Sequence, residues 1–127
     1  MLADVISIVI LIGTNNLGSG MTPSATARGV IKVSEVVKER APRSEVYVVE
    51  LLPRAKLQKQ VAQVNAMIGS GVGSRIKVLK CGSELVENAW DEEEEWRVDV
   101  GMMPDGLHPS GEGVKVWMKC LKRSGVG

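Results

Sequence analysis

The hydrophobic residues of the chain fall into two kinds of pattern. Nearly continuous apolar runs, rich in β-branched residues, occur at Val5–Ile12 and Glu45–Leu52, and such runs predict strands that are covered on both faces of a sheet. A third, shorter run at Arg75–Lys80 alternates polar and apolar residues, which is typical of a strand at a sheet edge. These three runs form the predicted sheet.

Apolar residues at helical spacing separate the strands and follow the last one. Thr22-Pro23 predicts a helix start, with Thr22 as the N-cap, and Ala41-Pro42 predicts its end. The predicted inward face of this first helix consists of Val30, Ile31, Val33 and Val37. The second helix has Leu57, Val61, Val64 and Ile68 on its inward face and stops at Gly69–Gly71. The last helix starts at Ser110 and has Val114, Trp117, Met118 and Leu121 on its inward face. Strands that alternate with helices predict an α/β domain with a parallel sheet wrapped by helices.

Length and composition agree with one globular domain at 1–127. The net charge of +1 predicts no polyanion partner, so nucleic-acid binding is disfavoured. Val5–Ile12 is too short to span a bilayer, and it lacks the positively charged n-region and the small-residue cleavage site of a signal peptide. Gly13–Gly20 is predicted to be a turn-rich loop, and the acidic run Asp91–Glu95 a solvated loop or helix end.

The two cysteines, Cys81 and Cys120, have neither metal-ligand nor thioredoxin-like spacing. We expect two reduced, mostly buried thiols, because one bridge in a chain of this size would be weak support for an oxidising compartment. Together with the lack of a signal sequence, this predicts a cytoplasmic protein. No cofactor and no metal site are predicted.

Two polar segments lie where an open α/β sheet places its sites, beyond the carboxyl ends of the strands. Gly13-Thr14-Asn15-Asn16 follows the first strand, and Asp105-Gly106-Leu107-His108 precedes the last helix. His108 is the only histidine. A nearby aspartate can fix its tautomer and stabilise its charged form, and an asparagine at a strand end can donate to an oxyanion. Each signal alone is weak, since such residues are more often structural, but together they point to one site.

The same segments resemble conserved blocks of the SGNH (GDSL-type) hydrolases. Val9–Asn16 resembles the third block, a strand running into Gly-x-Asn-Asp, and Asp105–His108 with the later Gly113 resembles the fifth block, Asp-x-x-His. Asn16 replaces the usual Asp, as is common in the branch that resembles the catalytic subunits of platelet-activating-factor acetylhydrolase. Leu51–Arg54 and Val64-Asn65 also resemble that branch. The similarity covers nearly the whole chain, in the right order.

This resemblance implies a fold and a set of roles. The fold is a three-layer, flavodoxin-like parallel sheet with strand order 2-1-3-4-5, of which the chain would retain about the last three strands. His108 would be the general base that activates a serine, and Asp105 would orient it. Asn15 would be an oxyanion-hole donor in a loop formed with Gly13, Thr14 and Asn16. The substrate would be a small-molecule ester.

The resemblance also implies that part of the site is missing. The family's serine lies in a first block, Gly-Asp-Ser, and a glycine donor lies in a second, and neither is present. We therefore expect an N-terminally truncated esterase domain that is inactive alone. The edge of Val5–Ile12 would be left for a second copy or a partner chain to cover. Ser19 is a weak candidate nucleophile, and Ser110 is better suited to cap a helix.

Three hypotheses about function stay open at this point. The chain could be an ester hydrolase completed by blocks from elsewhere. It could be a catalytically silent remnant that binds ligands or partners at the old cleft. It could also be a truncated product with no selected function. A measurement of ester hydrolysis by the isolated chain separates the first hypothesis, in which the serine comes from elsewhere, from one in which a serine of this chain is the nucleophile.

Overall fold

The structure is a computed structural model, and it describes residues 7–86 and 97–126. Its three strands are β1 (Ser7–Ile10), β2 (Glu45–Val49) and β3 (Ile76–Leu79). Its four α-helices are α1 (Thr14–Gly18), α2 (Pro23–Arg40), α3 (Gln58–Gly71) and α4 (Gly111–Arg123). A single 3₁₀ turn follows β3 at Gly82–Leu85. The predicted run Asp91–Glu95 lies outside the described residues.

The strands form one parallel sheet in the order β1-β2-β3. Ile8 pairs with Val46, and Val48 pairs with Val78, so the register is continuous across the sheet. The predicted α/β class is therefore confirmed, and among the described strands β3 lies at an edge of the sheet, as predicted. Within the part of the chain that is described, β1 has β2 as its only neighbour.

The pleat of β2 divides the core into two clusters. Side chains alternate across a strand, so Val46 and Val48 pack against α2 and α3, whereas Tyr47 and Val49 pack against the side that carries α4. The first cluster includes Val30, Val61, Val64, Ile68 and Leu17. The second includes Leu79, Cys81, Cys120 and Leu121, with Trp117 packed against it. Helices on both faces of the sheet give the expected three layers.

The first strand is shorter than the sequence predicts. Leu11 and Ile12 lie beyond its end and are 37% and 42% exposed, so they are not a buried continuation of the strand. The last pair in the ladder is Ile10 with Val48, after which the backbone leaves the sheet. Val5 lies outside the described residues.

The predicted loop Gly13–Gly20 contains a short helix, α1. Leu17 is buried in the first core cluster, and its N–H donates to the Gly13 carbonyl at 3.2 Å. One buried leucine therefore anchors a helical turn in a segment whose glycines and asparagines favour a loop. This tertiary contact overrides the local preference.

Helix α2 begins and ends as predicted, but one of its predicted inward residues is wrong. Thr22 accepts a hydrogen bond from the Ala25 N–H at 3.1 Å, and Ala41 closes the helix. Val30 is buried, yet Val33 is 42% exposed. The buried stripe instead runs through Ala27, Val30 and Ser34, and Val33 projects away from it. The Ser34 hydroxyl avoids a burial penalty by donating to the Ile31 carbonyl at 2.7 Å.

The cysteines and half of the predicted inward face of α4 differ from expectation. Cys81 and Cys120 form a disulfide, with their Cα atoms 5.8 Å apart, so the prediction of reduced thiols is wrong. The end of β3 and the last turns of α4 meet in the second core cluster, a contact that sequence spacing could not reveal. Disulfides are typical of oxidising compartments, so the cytoplasmic prediction loses this support. Val114 and Met118 are each 44% exposed, although Leu121 is buried.

Candidate active site

The first component of the site is the turn that leads from β1 into α1. Gly13 is buried and has a φ of 118°, in the region that disfavours residues with a side chain. A Cβ placed on it would lie 3.2 Å from Leu51 and 3.3 Å from both Thr26 and Val30. Glycine thus allows the backbone to turn against the core and to present Asn15 at the carboxyl edge of the sheet. We call residues 13–16 the oxyanion loop, after the role that the family resemblance predicts for Asn15.

The second component is the turn Asp105–His108, called here the histidine turn. One oxygen of Asp105, Oδ1, accepts the backbone N–H groups of Leu107 at 2.9 Å and His108 at 2.7 Å. The other, Oδ2, lies 2.7 Å from His108 Nδ1. The same carboxylate therefore shapes the turn and orients the imidazole ring.

These contacts fix the electrostatics of the histidine turn. The N–H of His108, its ring nitrogen and the N–H of Leu107 together hold the pKa of the Asp105 carboxyl well below its usual range. The ionised form of Asp105 favours the tautomer in which Nδ1 carries the proton, leaving Nε2 as the acceptor. The Asp105 side chain is 57% exposed and the His108 side chain is 73% exposed, so solvent reaches the pair directly.

The two components meet at one cleft of about 430 Å³ at the carboxyl end of the strands. Gly13, Thr14, Asn15 and Asn16 line one side, and His108 lines another. Apolar walls come from Leu11, Ile12, Leu51, Leu52 and Leu107. The structure thus brings His108 and the oxyanion loop together, while Asp105 stands behind the ring. The volume and the apolar walls with few polar groups are typical of a small-molecule site.

No serine or cysteine is among the described residues that line this cleft. The Ser110 hydroxyl accepts from the Gly113 N–H at 3.1 Å and donates to the Gly101 carbonyl at 2.8 Å, so it caps α4 as predicted. Ser19 follows α1 on the exposed surface. Neither position provides a nucleophile beside His108.

Asn65 is a buried residue that supports the site, and the sequence analysis did not predict this structural role. Asn65 accepts the Leu51 N–H at 2.7 Å and donates to the Leu51 carbonyl at 3.2 Å. It therefore fixes the backbone of a cleft residue just beyond β2. A signal for this role existed, since Asn65 is a polar residue four positions after Val61 on an otherwise apolar helical stripe.

We also examined the described residues for a metal site and for a membrane-spanning helix. Residues 7–86 and 97–126 contain no cluster of metal-binding side chains. Among those same residues, no helix combines the length and the hydrophobicity that a bilayer span requires.

Comparison with known proteins gives matches only among solved structures. No protein-family model and no curated protein matches the chain. A Streptococcus pneumonia protein described as a platelet activating factor is 18% identical with a TM-score of 0.74, over 94% of this chain and 59% of that one. A Bacteroides fragilis protein described as an acylhydrolase is 18% identical with a TM-score of 0.75, over 93% of this chain and 60% of that one. A GDSL-like lipase from Bacteroides thetaiotaomicron is 20% identical with a TM-score of 0.74, over 91% of this chain and 60% of that one.

The chain therefore has the α/β fold of GDSL-like hydrolases. It spans about 60% of the length of each of these three solved structures. A shared fold does not by itself define an activity, so the chemistry has to be argued from the cleft.

Proposed function

We propose that the chain carries the acid–base and oxyanion-binding side of a GDSL-type ester hydrolase site. The observation that supports this most strongly is the Asp105–His108 contact of 2.7 Å facing the same cleft as Asn15. An oriented imidazole and an amide donor across an apolar cleft are the parts that acyl transfer requires besides a nucleophile. The fold shared with a GDSL-like lipase and a described acylhydrolase agrees with this chemistry.

In the proposed reaction, an ester lies in the cleft with its acyl chain against Leu51 and Leu52. His108 Nε2 takes the proton of a serine hydroxyl as its oxygen attacks the ester carbonyl carbon. Asp105 stabilises the imidazolium that forms, and the Asn15 amide donates to the oxyanion. No hydrogen bond to the Asn15 side chain is found within the described residues, so that amide is free to do this. The bond between the carbonyl carbon and the alcohol oxygen then breaks, His108 gives its proton to that oxygen, and the serine keeps the acyl group. His108 next takes a proton from water as the water attacks the acyl-enzyme, and returns it to the serine oxygen as the carboxylic acid leaves.

The serine in this scheme comes from outside the described residues. We propose that a strand-and-helix segment carrying Gly-Asp-Ser, on another chain or elsewhere in a longer protein, pairs with the edge of β1 that faces away from β2. A strand at a sheet edge offers its backbone groups to such pairing. The exposed Leu11 and Ile12, which continue from β1 into the cleft, provide apolar surface for the same segment.

The test is hydrolysis of p-nitrophenyl butyrate by the chain, alone and with a peptide segment that carries the Gly-Asp-Ser strand and helix. Alone, the chain should be no faster than its His108→Ala variant, which corrects for cleavage of activated esters by free imidazole. With the segment bound, turnover should appear, and His108→Ala should reduce it by about 100- to 10,000-fold. Asn15→Ala should reduce it by about 100- to 1,000-fold.

Two other results are informative. Bound segment without turnover would contradict the hydrolase and favour the silent remnant, which predicts that short fatty acids still bind the cleft. Rapid turnover by the chain alone, with fluorophosphonate labelling of Ser19, would retain ester hydrolysis but place the nucleophile inside this chain. Labelling should be followed by mass spectrometry of the peptide that contains Ser19.

A further inference from the structure

We infer that Arg54 and Ala55 form a bridge that sets the position of the oxyanion loop relative to the histidine turn. This role depends on the proposed function, because it assigns the two residues to the alignment of Asn15 with His108. Both belong to the segment that follows β2, and neither side chain is among those that line the cleft. They are therefore positioning residues, which act through the groups that they hold.

One end of the bridge holds the oxyanion loop. Nη1 of Arg54 donates to the carbonyl of Thr14 at 3.1 Å, a contact between residues 40 positions apart. The guanidinium also packs over Gly18, where an added Cβ would lie 3.5 Å from the same Nη1. Thr14 directly precedes Asn15, so this hydrogen bond fixes the backbone from which the proposed oxyanion donor projects.

The other end of the bridge holds the histidine turn. The Ala55 N–H donates to the Gly106 carbonyl at 2.8 Å. Gly106 has a φ of 72°, and a Cβ placed on it would lie only 2.7 Å from the Ala55 Cβ. Because Gly106 lies between Asp105 and His108, a shift at this contact displaces the ring. The close approach leaves little freedom at this end.

The bridge is also anchored to the core. Pro53 is fully buried, and two residues earlier the Leu51 backbone is pinned by both polar atoms of the Asn65 side chain. Among the hydrogen bonds of the described residues, none joins the oxyanion loop directly to the histidine turn. The two halves of the site, which come from distant parts of the chain, are thus related through residues 54 and 55.

The chemistry of Arg54 suits this role. Its Nε is buried with no partner in the part of the chain that is described, so the Nη1 bond to Thr14 carries the link. A lysine ammonium could donate to the Thr14 carbonyl, but it lacks the planar group that packs over Gly18. The neighbouring Lys56 is exposed, and it offers a matched control that removes the same charge two residues away.

The bridge can be tested without turnover, by NMR of the isolated chain. We compare Arg54→Ala, Gly106→Ala and Lys56→Ala, and follow the Asn15 side-chain amide and the His108 ring, which is unambiguous because the chain has one histidine. Arg54→Ala should shift both sets of signals although it touches only the oxyanion loop. Gly106→Ala should shift both although it touches only the histidine turn. Lys56→Ala should shift neither.

A merely local or structural role gives different results. If Arg54→Ala moves Asn15 alone, or if Lys56→Ala moves both groups equally, the bridge is wrong. Should Arg54→Ala fail to fold, Arg54→Lys provides the second variant, with partial shifts expected at both groups. Millimolar guanidinium, far below denaturing concentrations, should return the Arg54→Ala signals towards those of the wild type and leave the Lys56→Ala spectrum unchanged.

The completed enzyme gives a second readout. With the Gly-Asp-Ser segment bound, Arg54→Ala should lower kcat by about 10- to 100-fold, the size expected for misplaced reacting groups, with little change in KM. Coupled NMR shifts without any turnover in the wild-type complex would mean that the bridge exists but the proposed hydrolase does not. Turnover that is insensitive to Arg54→Ala would mean the reverse.

Discussion

On one face of the sheet, α2 and α3 cover β1 to β3 with a continuous apolar cluster that contains fully buried Val61, Val64 and Ile68. On the other face, α4 makes a smaller cluster near its C-terminus, through Cys120 and Leu121. The first face is held mainly by apolar packing, with the Asn65 side chain of α3 hydrogen-bonded to the Leu51 backbone. The second adds the Cys81–Cys120 disulfide and an ion pair between Arg123 and Glu84.

The difference shows how the two halves of the candidate site are supported. The oxyanion loop leaves β1 against the well-packed face, where Leu17 is buried. The histidine turn leads into α4, whose Val114 and Met118 remain exposed. We therefore expect the placement of the histidine turn to depend in part on the covalent link, whereas the oxyanion loop depends on apolar burial. The same link closes the loop that contains the histidine turn.

The largest effect is expected from loss of the disulfide. The Cys81–Cys120 disulfide joins residues 39 positions apart, and the loop-entropy relation assigns such a cross-link roughly 4 kcal/mol of unfolding free energy. Urea unfolding with and without a reductant should show a loss of this order. The Cys81→Ser, Cys120→Ser double variant is the control, since it should unfold at the reduced midpoint and ignore the reductant. Equal midpoints for oxidised and reduced wild type would show that α4 needs no link.

Truncation on the opposite face should have the next largest effect. Ile68 is completely buried between α3 and the sheet, and Ile68→Ala should lower the free energy of unfolding by about 3 kcal/mol through lost burial and the cavity left behind. Val114→Ala on the exposed side of α4 is the matched control, and should change it by no more than about 0.5 kcal/mol. Comparable losses for the two variants would remove the contrast between the faces.

A smaller effect is expected where the oxyanion loop turns. Gly13→Ala places a side chain at a φ of 118° and against three core side chains, which should cost about 2 kcal/mol of stability. It should also move the Asn15 side-chain signals in NMR spectra. Gly29→Ala is the control, because a Cβ there meets nothing within 4 Å in the middle of α2, and it should be neutral or stabilising. An unchanged Asn15 environment in Gly13→Ala would show that the turn does not position that residue.

Much of this arrangement could be predicted from local patterns. The strand runs, the Thr22 cap and the Ser110 cap depend on residues close together in sequence. Both caps appear where predicted, and all three strands lie within their predicted runs, although β1 already ends at Ile10. The contribution of Leu17 to α1, the disulfide and the exposed Val33 depend on which elements meet in space. Periodicity marks an apolar residue without saying whether a partner covers it.

In the candidate site, too, some features could be predicted from local sequence and others depend on contacts between distant residues. Asn15 and His108 could be placed at one edge because parallel strands direct their carboxyl ends to the same side. The sequence pointed to Arg54 and Asn65 only through their resemblance to the hydrolase family, and it predicted no contacts for them. Their contacts with Thr14 and Leu51 span 40 and 14 positions, and no local pattern encodes such pairs. The roles of these residues in catalysis remain predictions.

The smallest effect concerns the pH dependence of the histidine turn. The pKa of Asp105 is lowered because its charged form accepts three hydrogen bonds within residues 105–108. A lowered pKa in the folded state means that this contribution is complete above the unfolded value of about 4 and is lost only as the pH falls through the lower folded value. The side-chain carboxyl carbon of Asp105, followed by ¹³C NMR, should therefore report an ionised carboxylate from pH 7 down to about pH 4 and should change to the protonated form only in more acidic solution.

The Asp105→Asn variant gives the matched control for this titration. Its amide oxygen can still accept the two backbone N–H groups, but its NH₂ group cannot accept from His108 Nδ1. The acid transition at residue 105 should disappear, because a carboxamide does not titrate in this range, and the His108 ring signals should differ from those of the wild type already at pH 7. Reduction of the disulfide should leave the wild-type transition where it was, because all three donors lie inside the turn. A transition that moves on reduction would show instead that the packing of α4 sets the geometry of Asp105, and that the weaker face of the sheet governs the site itself.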